Sequence, residues 1–299
     1  MYLPFEYDEP VFRPPSEAMS AIFQITHGCS WNQCAFCEMY TSKKFKVKKL
    51  ERIEKEIRSF SEFDQDTNKV FLADGDVMVL DTQKILKILE FIHKYLPNVR
   101  RISAYASPGN LHRKSEQELK ELADAGMNIV YVGIESGNEN LLNLVNKGES
   151  YDSTVAGITK AQFSGIKTSV MIIIGLGGEK YSYDHARDSA KAINIIQPDF
   201  LSTLILSFPY GVNNYKSRFK GDFIPLDVKG LLDELFNFIN NIDETTIKKQ
   251  IVFRSDHASN YLALKGFLPR DKKAFLKKIT FAINKPENAK LRKEWQRGL

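Results

Sequence analysis

Short apolar runs recur along the chain, and each is followed by a segment with the periodicity of an amphipathic helix. Successive runs begin 28 to 48 residues apart, the spacing of one strand–helix unit. A parallel strand buried on both faces has this nearly continuous apolar pattern. The six runs are AIFQIT (Ala21–Thr26), KVFLA (Lys69–Ala73), RISAYA (Arg101–Ala106), IVYVGI (Ile129–Ile134), TSVMIIIG (Thr168–Gly175) and FLSTLIL (Phe200–Leu206).

Six such units predict an α/β fold, an open partial (β/α)6 version of the TIM-like barrel. The rhythm fails after about Pro209, where Leu226–Ile242 and Phe275–Ile283 have helical periodicity and Ile251–Arg254 has the pattern of one more strand. We therefore expect a barrel core over residues 1–212, with motifs from about residue 20. We expect a mostly helical α/β extension, residues 213–299, to pack on the barrel mouth.

Composition narrows the class of protein. An apolar fraction of 43% in 299 residues is enough for a substantial core. The net charge of +5 does not by itself indicate a nucleic-acid partner. No apolar run reaches the ~18 residues that a bilayer span requires, and the acidic, proline-rich N-terminal segment does not resemble a signal peptide. We therefore expect a soluble, cytoplasmic protein with no membrane partner.

All three cysteines of the chain lie in the segment THGCSWNQCAFCEMY. Their spacing is Cys29-x4-Cys34-x2-Cys37, in the loop after the first predicted strand. In a reducing compartment, clustered thiols more often bind metal than form disulfides. A closed zinc site needs a fourth ligand, and only His27 is near in the sequence. A zinc held by three thiolates and an iron–sulfur cluster with one open iron both remain compatible with the pattern.

The cysteine segment, with Phe36 between its last two cysteines, resembles the cluster loop of the radical S-adenosylmethionine (radical SAM) superfamily. Its first gap has four residues, where three are commonest in that family. The resemblance implies a [4Fe-4S] cluster on Cys29, Cys34 and Cys37, with S-adenosylmethionine on the open iron. It implies an oxygen-sensitive oxidoreductase that makes a 5′-deoxyadenosyl radical, takes hydrogen from a substrate, and receives electrons from a donor such as flavodoxin or ferredoxin.

A second stretch, IESG followed by NENLLNLVNKG, resembles the radical SAM subgroup of oxygen-independent coproporphyrinogen oxidases and the elongator catalytic subunit. The resemblance implies that Glu135 faces the ribose or methionine end of the cofactor and that Lys147 reaches its carboxylate. A capping carboxylate and a solvated lysine are the alternatives. The strand ends that carry these motifs are expected to converge at one edge of the sheet.

The other strand ends supply the remaining implied cofactor contacts. The turn Asp74-Gly75-Asp76 resembles the family's Gly-Gly-Glu-like turn, which binds the cofactor's amino group, although an Asp here also suits a helix N-cap. Gly175 resembles the glycine turn that approaches adenine. The implied cofactor-binding set is Phe36, Asp74, Gly75, Asp76, Ser103, Glu135, Ser136, Lys147 and Gly175.

The segment VFRSDHASNYLALKG (Val252–Gly266) is the densest polar stretch outside these motifs. It could bind an anionic or amide substrate, with a histidine able to move protons. Surface polar groups and a helix cap explain it equally well. The candidate catalytic residues are Arg254, Asp256, His257 and Tyr261.

Two basic segments carry weaker signals. KKFKVKK (Lys43–Lys49) is interpreted as an edge segment with a solvated face, which could also attract phosphate or an electron-donating flavoprotein. The lysine-rich C-terminal tail is interpreted as a solvated helix that could hold RNA. The alternatives to a radical SAM enzyme are a three-thiolate zinc hydrolase and a non-catalytic iron–sulfur or zinc module that interacts with RNA. The sequence does not identify the substrate.

Overall fold

The computed structural model of the chain describes residues 4–298; residues 1–3 and 299, which the predicted domain ranges include, lie outside that range. The strands are β1 (Ala21–Gln24), β2 (Thr26–His27), β3 (Lys46–Val47), β4 (Lys69–Ala73), β5 (Arg101–Ala106), β6 (Met127–Glu135), β7 (Lys167–Ile174), β8 (Phe200–Ile205), β9 (Ile251–Ser255) and β10 (Leu264–Leu268). The helices are α1 (Leu50–Phe63), α2 (Thr82–Tyr95), α3 (Pro108–Arg113), α4 (Glu116–Asp124), α5 (Glu139–Leu144), α6 (Tyr151–Phe163), α7 (Gly178–Ile196), α8 (Val212–Arg218), α9 (Val228–Asn240) and α10 (Lys272–Asn284).

The main sheet of the described residues has eight strands in the order β1-β4-β5-β6-β7-β8-β9-β10. The pairs β1–β4, β4–β5, β5–β6, β7–β8 and β8–β9 are parallel, and β10 is antiparallel to β9. A separate antiparallel pair joins β2 to β3. The predicted α/β fold and its six parallel strands are confirmed, and β9 extends the sheet as its sequence pattern indicated.

Strand β10 was not predicted. Strand β10 overlaps the end of the polar stretch Val252–Gly266, which we interpreted either as a substrate-binding stretch or as surface polar groups with a helix cap. The strand contains Lys265 and Gly266, and glycine in a strand interior is usually unfavourable. Here a side chain at Gly266 would collide with Asp271 and Phe275 at 2.4 and 2.8 Å. The glycine therefore lets the Asp271 carboxylate and the Phe275 ring pack against the strand without moving aside, a tertiary contact that the local pattern does not reveal.

Helix boundaries follow local signals where such signals exist. The predicted capping box opens α4: the Ser115 hydroxyl accepts from Glu118 N, and the Glu118 carboxylate accepts from Ser115 N. Gly126 follows that helix with a φ of +98°, a left-handed conformation that glycine adopts without strain. Among the described residues, no helix combines the length and apolar character needed to cross a bilayer.

The chain divides into two compact units, which are described separately. The first comprises residues 4–32, 37–132 and 156–168, and the second comprises residues 33–36, 133–155 and 169–298. In the first, rings of Phe71, Tyr105 and Tyr131 meet edge to face. In the second, a buried cluster contains Ala35, Leu141, Val145, Leu176, Leu206, Tyr215, Phe219 and Phe223. The predicted boundary at residue 212 falls inside the second unit and stays a prediction.

Candidate functional site

The three cysteines lie in a loop that β2 enters and β3 closes. Cys29 and Cys37 are partly exposed, Cys34 is buried, and none of the three forms a disulfide. No three His, Cys, Asp or Glu side chains of residues 4–298 form a preassembled metal-binding group. None of the three thiols is in a disulfide, and thiolates are the ligands that iron–sulfur clusters take. The donor set therefore fits such a cluster chemically.

In the first unit, the loop that follows β4 fixes the backbone at Cys29. Gly75 N donates to Gly28 O at 3.2 Å, and Gly28 N donates to Asp74 Oδ2 at 3.2 Å. A Cβ at Gly75 would lie 2.8 Å from Cys29 Cα, closer than real Cβ contacts allow. Gly75 is therefore required for the two loops to approach. This gives the predicted glycine a role in positioning Cys29.

A buried ion pair supports the same loop. Lys43 Nζ lies 2.9 Å from Asp74 Oδ2, and it also donates to the main-chain oxygen of Asp8. Lys48 Nζ pairs with Glu56 at 2.8 Å. In the segment Lys43–Lys49, interpreted as an edge segment with a solvated face, these two lysines are therefore paired and little exposed, while Lys44, Lys46 and Lys49 are exposed. The sequence could not reveal this, because both carboxylates that neutralise Lys43 and Lys48 lie elsewhere in the chain.

Asp74 is fully buried, and its Oδ2 is engaged by the Lys43 ammonium and Gly28 N–H. Its Oδ1 has no hydrogen-bond partner among the described residues. Oδ2 thus holds the cysteine loop, while Oδ1 is a hydrogen-bond acceptor that no described residue uses. This arrangement gives Asp74 a positioning role that the resemblance alone did not indicate.

Two other residues predicted to contact the cofactor are hydrogen-bonded within the protein. Asp76 is buried, accepts from Met78 N at 3.0 Å and from Asn110 Nδ2 at 2.5 Å, and caps a short 3-10 helix. Burial raises the pKa of Asp76. The Ser103 hydroxyl is fully buried and donates to Val70 O at 3.3 Å. These contacts support the capping alternative for Asp76 and a core role for Ser103, and neither supports a cofactor contact.

In the second unit, Glu135 and Lys147 form an ion pair at 3.2 Å between Oε1 and Nζ. Glu135 ends β6 with a φ of +63°, which is strained for a residue with a side chain. A Cβ at Gly133 would lie 1.9 Å from Glu135 Oε1. The Glu135 side chain therefore folds back over Gly133, a position that only glycine permits. Sequence reasoning did not single out Gly133.

Lys147 lies close to the buried cysteine of the same unit. Its ammonium stands 5.7 Å from the centre of the Phe36 ring, within the range of a cation–π contact. Burial acts to lower the pKa of Lys147, but the Glu135 carboxylate and the Cys34 sulfur outweigh it and raise the pKa above its ordinary value. The second unit thus holds a firmly protonated cation beside Cys34.

Cys34 is held through its neighbours' backbone. Ala35 N donates to Val145 O at 2.8 Å, and Arg218 donates from α8 to Cys34 O at 2.5 Å. Arg218 was not predicted, because an arginine in a short helix carries no local sign of its target. The predicted residues Cys34, Phe36, Glu135 and Lys147 are brought together in this unit.

The remaining part of the IESG stretch packs against α7. The buried Ser136 hydroxyl lies 2.8 Å from His185 Nδ1. Gly137 N donates to Ser189 Oγ at 2.9 Å, and a Cβ at Gly137 would lie 2.2 Å from Asp188 O. Ser136 therefore anchors the strand end to the helix, and its contacts do not support the predicted cofactor role.

Gly175, at the end of β7, depends on a buried acid. It has a φ of +86°, and its N–H donates to Glu234 Oε1 at 2.6 Å. Burial raises the pKa of Glu234 to about 7, and burial lowers the pKa of His185, 3.6 Å from that carboxylate, to about 4. Sequence reasoning missed Glu234, although its position on the apolar face of α9, beside Leu231 and Leu235, was a signal.

The candidate catalytic residues in β9 and after it mostly make internal contacts. His257 Nδ1 lies 2.9 Å from Ser259 Oγ, and burial and the Arg292 charge lower the pKa of His257. The Tyr261 hydroxyl contacts Glu294 at 2.5 Å and Arg297 at 2.7 Å. Arg292 donates to main-chain oxygens of Asp256, His257 and Asn260, and exposed Arg254 donates to Phe253 O at 3.0 Å. Their substrate role stays a prediction.

The model of the family described as "Radical SAM superfamily" matches residues 23–190, more than half of the chain. This chain belongs to the radical SAM superfamily. The family resemblance seen in the cysteine loop is thereby confirmed. A radical SAM protein of this kind is generally an enzyme, and the family implies an iron–sulfur cluster, S-adenosylmethionine and an electron donor.

Two curated relatives are similar in sequence. The chain is 22% identical over 254 residues to the uncharacterized protein MJ0486 of Methanocaldococcus jannaschii, covering 81% of this chain and 75% of that protein. It is 22% identical over 131 residues to the heme chaperone HemW of Bacillus subtilis, covering 43% of this chain and 35% of HemW. The chain thus spans most of the first relative but about a third of the second.

Solved radical SAM structures share the fold. Coproporphyrinogen III oxidase (HemN) of Escherichia coli superposes with a TM-score of 0.56 at 16% identity, covering 74% of this chain and 51% of HemN. The anSMEcpe structure with bound AdoMet superposes with a TM-score of 0.54 at 14% identity, covering 74% of this chain and 58% of that one. At these identities the similarity shows the fold alone, so it confirms the partial-barrel architecture.

Proposed function

We propose that this protein is a radical SAM enzyme whose cluster is held by Cys29, Cys34 and Cys37. When bound, the reduced cluster and S-adenosylmethionine would supply a 5′-deoxyadenosyl radical that abstracts hydrogen from a substrate. The observation that carries the proposal is the placement of the Lys147–Glu135 pair and Phe36 in one unit with Cys34. The electron donor, such as flavodoxin or ferredoxin, and the cytoplasmic location stay predictions.

The two charged residues near Cys34 suit different groups of the cofactor. The Lys147 ammonium is a point charge suited to the cofactor's carboxylate. The Glu135 carboxylate accepts hydrogen bonds and suits ribose hydroxyls or an ammonium. Each group neutralises the other at 3.2 Å, so neither charge is left uncompensated before the cofactor arrives.

The remaining site residues position the backbone of the loops around the site. Gly75 lets the loop after β4 reach Cys29, and Asp74 holds Gly28 through its Oδ2. Gly175 presents a turn without a side chain, and its N–H is fixed by Glu234. We assign Asp74, Gly75 and Gly175 to positioning the loops and the approach of the cofactor. Asp76, Ser103 and Ser136 are assigned to the scaffold.

The test begins with the metal. Protein purified without oxygen and reconstituted should contain iron and sulfide in equal amounts, and after reduction with dithionite it should convert S-adenosylmethionine to 5′-deoxyadenosine and methionine. Cys34→Ala should lose both the iron and the conversion, while Ser30→Ala, an exposed neighbour in the same loop, should keep both. Zinc without iron or sulfide, or full conversion by Cys34→Ala, would refute the proposal.

The same material tests the RNA-interaction alternative. A non-catalytic module would consume no S-adenosylmethionine and would bind RNA through the basic tail with strong salt dependence. Two of the tail's cations, Arg292 and Arg297, are already engaged by carbonyls of the loop after β9, which leaves fewer for phosphates. Turnover with deuterated candidate metabolites, following deuterium into 5′-deoxyadenosine, would identify the substrate.

A further inference from the structure

The strand that closes the cysteine loop presents an unusual surface. We call residues Lys44–Lys49 the basic strand; it contains β3 and lies in the first unit. Of its lysines, Lys48 is paired with Glu56. Lys44, Lys46 and Lys49 are exposed, and none of the three takes part in an ion pair within residues 4–298. Three uncompensated cations thus stand within six consecutive residues.

Apolar side chains alternate with these cations. Phe45 and Val47 are 37% and 39% exposed, and Trp31, in the cysteine loop itself, is 40% exposed. A surface that only has to stay hydrated has no need of exposed aromatic and branched side chains beside its lysines. Aromatic residues bordered by charges are typical of protein–protein interfaces, where apolar contact adds to electrostatic attraction. The composition therefore favours a protein partner over a simple anion.

The basic strand is adjacent to a proposed cluster ligand. In the β2–β3 pair, Lys46 lies opposite His27, two residues before Cys29. A Cβ built on Gly28 would lie 3.6 Å from Phe45 N. A partner that contacts Phe45 would therefore sit beside the chain segment that carries Cys29. The face is small, as is usual in transient encounters between redox proteins.

We propose that the basic strand is the docking surface for an acidic one-electron carrier protein that reduces the cluster. This inference rests on the proposed function. On docking, the carrier would lose one electron and a cluster held by the cysteines would gain it, and no bond would form or break. The lysines steer an acidic carrier toward this face and speed the encounter. The exposed Phe45 and Val47 supply the short-range contact.

The charge alone would also suit a nucleic acid, but two observations favour the carrier. Single-stranded nucleic acid is bound along extended grooves with several stacking rings, whereas β3 spans only Lys46–Val47, and the exposed rings described above for this face are Phe45 and Trp31. The strand also adjoins Cys29, a proposed ligand of the cluster that an electron donor has to reduce.

Binding can be measured without a loaded cluster. The full chain is titrated into a purified acidic flavodoxin carrying its flavin, at about 50 mM salt, where surface charges are weakly screened. The double variant Lys44→Glu/Lys46→Glu should weaken binding by about tenfold or more. The matched control is Lys277→Glu/Lys278→Glu on α10, which changes the net charge equally at two exposed positions and should weaken it far less. Phe45→Ser should weaken binding at low and high salt alike.

Turnover separates this inference from the proposed function. With dithionite as reductant, Lys44→Glu/Lys46→Glu should cleave S-adenosylmethionine at the wild-type rate; with reduced flavodoxin it should lose most of that rate. Wild-type protein that fails with dithionite would refute the proposed function, while the titration would still decide the docking surface. Equal weakening by both charge pairs, or unchanged flavodoxin binding, would overturn the inference. So would a short RNA that binds more tightly than flavodoxin and is lost in the same variant.

Discussion

The Lys147 ammonium and the Glu135 carboxylate meet at 3.2 Å, with only 13% and 11% of the two side chains exposed. They stand in one unit with Cys34, whose sulfur adds to the negative field on the lysine. Removing one member of a little-exposed pair leaves the other charge poorly solvated. The arrangement therefore links the stability of this unit to the groups proposed to bind the cofactor.

Replacing Lys147 with methionine should affect both stability and binding. We expect Lys147→Met to lower the free energy of unfolding by about 2 kcal/mol, because Glu135 loses its partner. The affinity of the reconstituted protein for S-adenosylmethionine should fall by about tenfold or more, as expected when one charged contact is lost. Denaturant titration and equilibrium dialysis measure the two effects. Lys147→Arg should keep most of the affinity, and Lys180→Met on the exposed face of α7 should change neither; unaltered cofactor affinity in Lys147→Met would contradict the assignment.

Gly133 offers a test that separates geometry from charge. An alanine Cβ there would meet Glu135 Oε1 at 1.9 Å, but the carboxylate is the end of a flexible side chain and can move away. We expect Gly133→Ala to cost about 1 kcal/mol or less in stability and to reduce cofactor affinity about as much as Lys147→Met does. In a Glu135→Ala background, Gly133→Ala should have no further effect on affinity. An additive loss in the double variant would show that Gly133 acts through some other contact.

The Lys43–Asp74 pair should contribute to the stability of the first unit. Its side chains are 4% and 0% exposed, so Lys43→Met should lower the free energy of unfolding by about 3 kcal/mol. The double variant Lys43→Met/Asp74→Asn should lose less stability than the two single variants lose in sum, because the two charges interact directly. Denaturant titration of all four proteins measures the coupling. Lys44→Met, one residue away but exposed, should cost less than about 0.5 kcal/mol, and strictly additive losses at Lys43 and Asp74 would count against the pair.

The sequence predicted those parts of the molecule that local pattern determines. Buried parallel strands need continuous apolar stretches, so β4 and β5 were predicted with their observed bounds, and a capping box marked the start of α4. The cysteine spacing and the IESG stretch led to the family. In each case the decisive residues are close together in the sequence.

The rest could not be predicted because it depends on partners distant in the sequence. Lys43 is buried because Asp74 neutralises it, and nothing in a run of lysines distinguishes that one from exposed Lys44. Ser136 matches the family motif but bonds His185. In strand β10, the missing side chain of Gly266 makes room for the ends of the Asp271 and Phe275 side chains. Tertiary contacts, not local preference, decide these positions.

The buried pair Glu234 and His185 should give the protein an unusual dependence of stability on pH. Burial raises the pKa of Glu234 from 4.5 to about 7 and lowers that of His185 from 6.5 to about 4. The Glu234 contribution is present below pH 4.5 and is lost as pH rises through 7. The His185 contribution is present above pH 6.5 and is lost as pH falls through 4. Between pH 4.5 and 6.5 the two slopes oppose each other, so these groups together should leave the wild-type curve nearly flat.

Glu234→Gln removes the pH dependence of stability that Glu234 contributes. It keeps a side-chain oxygen that can accept from Gly175 N. The variant should match the wild type near pH 4, gain stability as pH rises to 6.5 because only the histidine term remains, and exceed the wild type by about 3 kcal/mol at pH 8. Denaturant titration from pH 4 to 8 measures the difference. Asp233→Asn, which removes the neighbouring carboxylate on α9, is the control. A variant that fails to gain stability at high pH would contradict this expectation, and would mean that the Gly175 N–H already compensates the buried charge, so that the pKa of Glu234 is not raised in the folded protein.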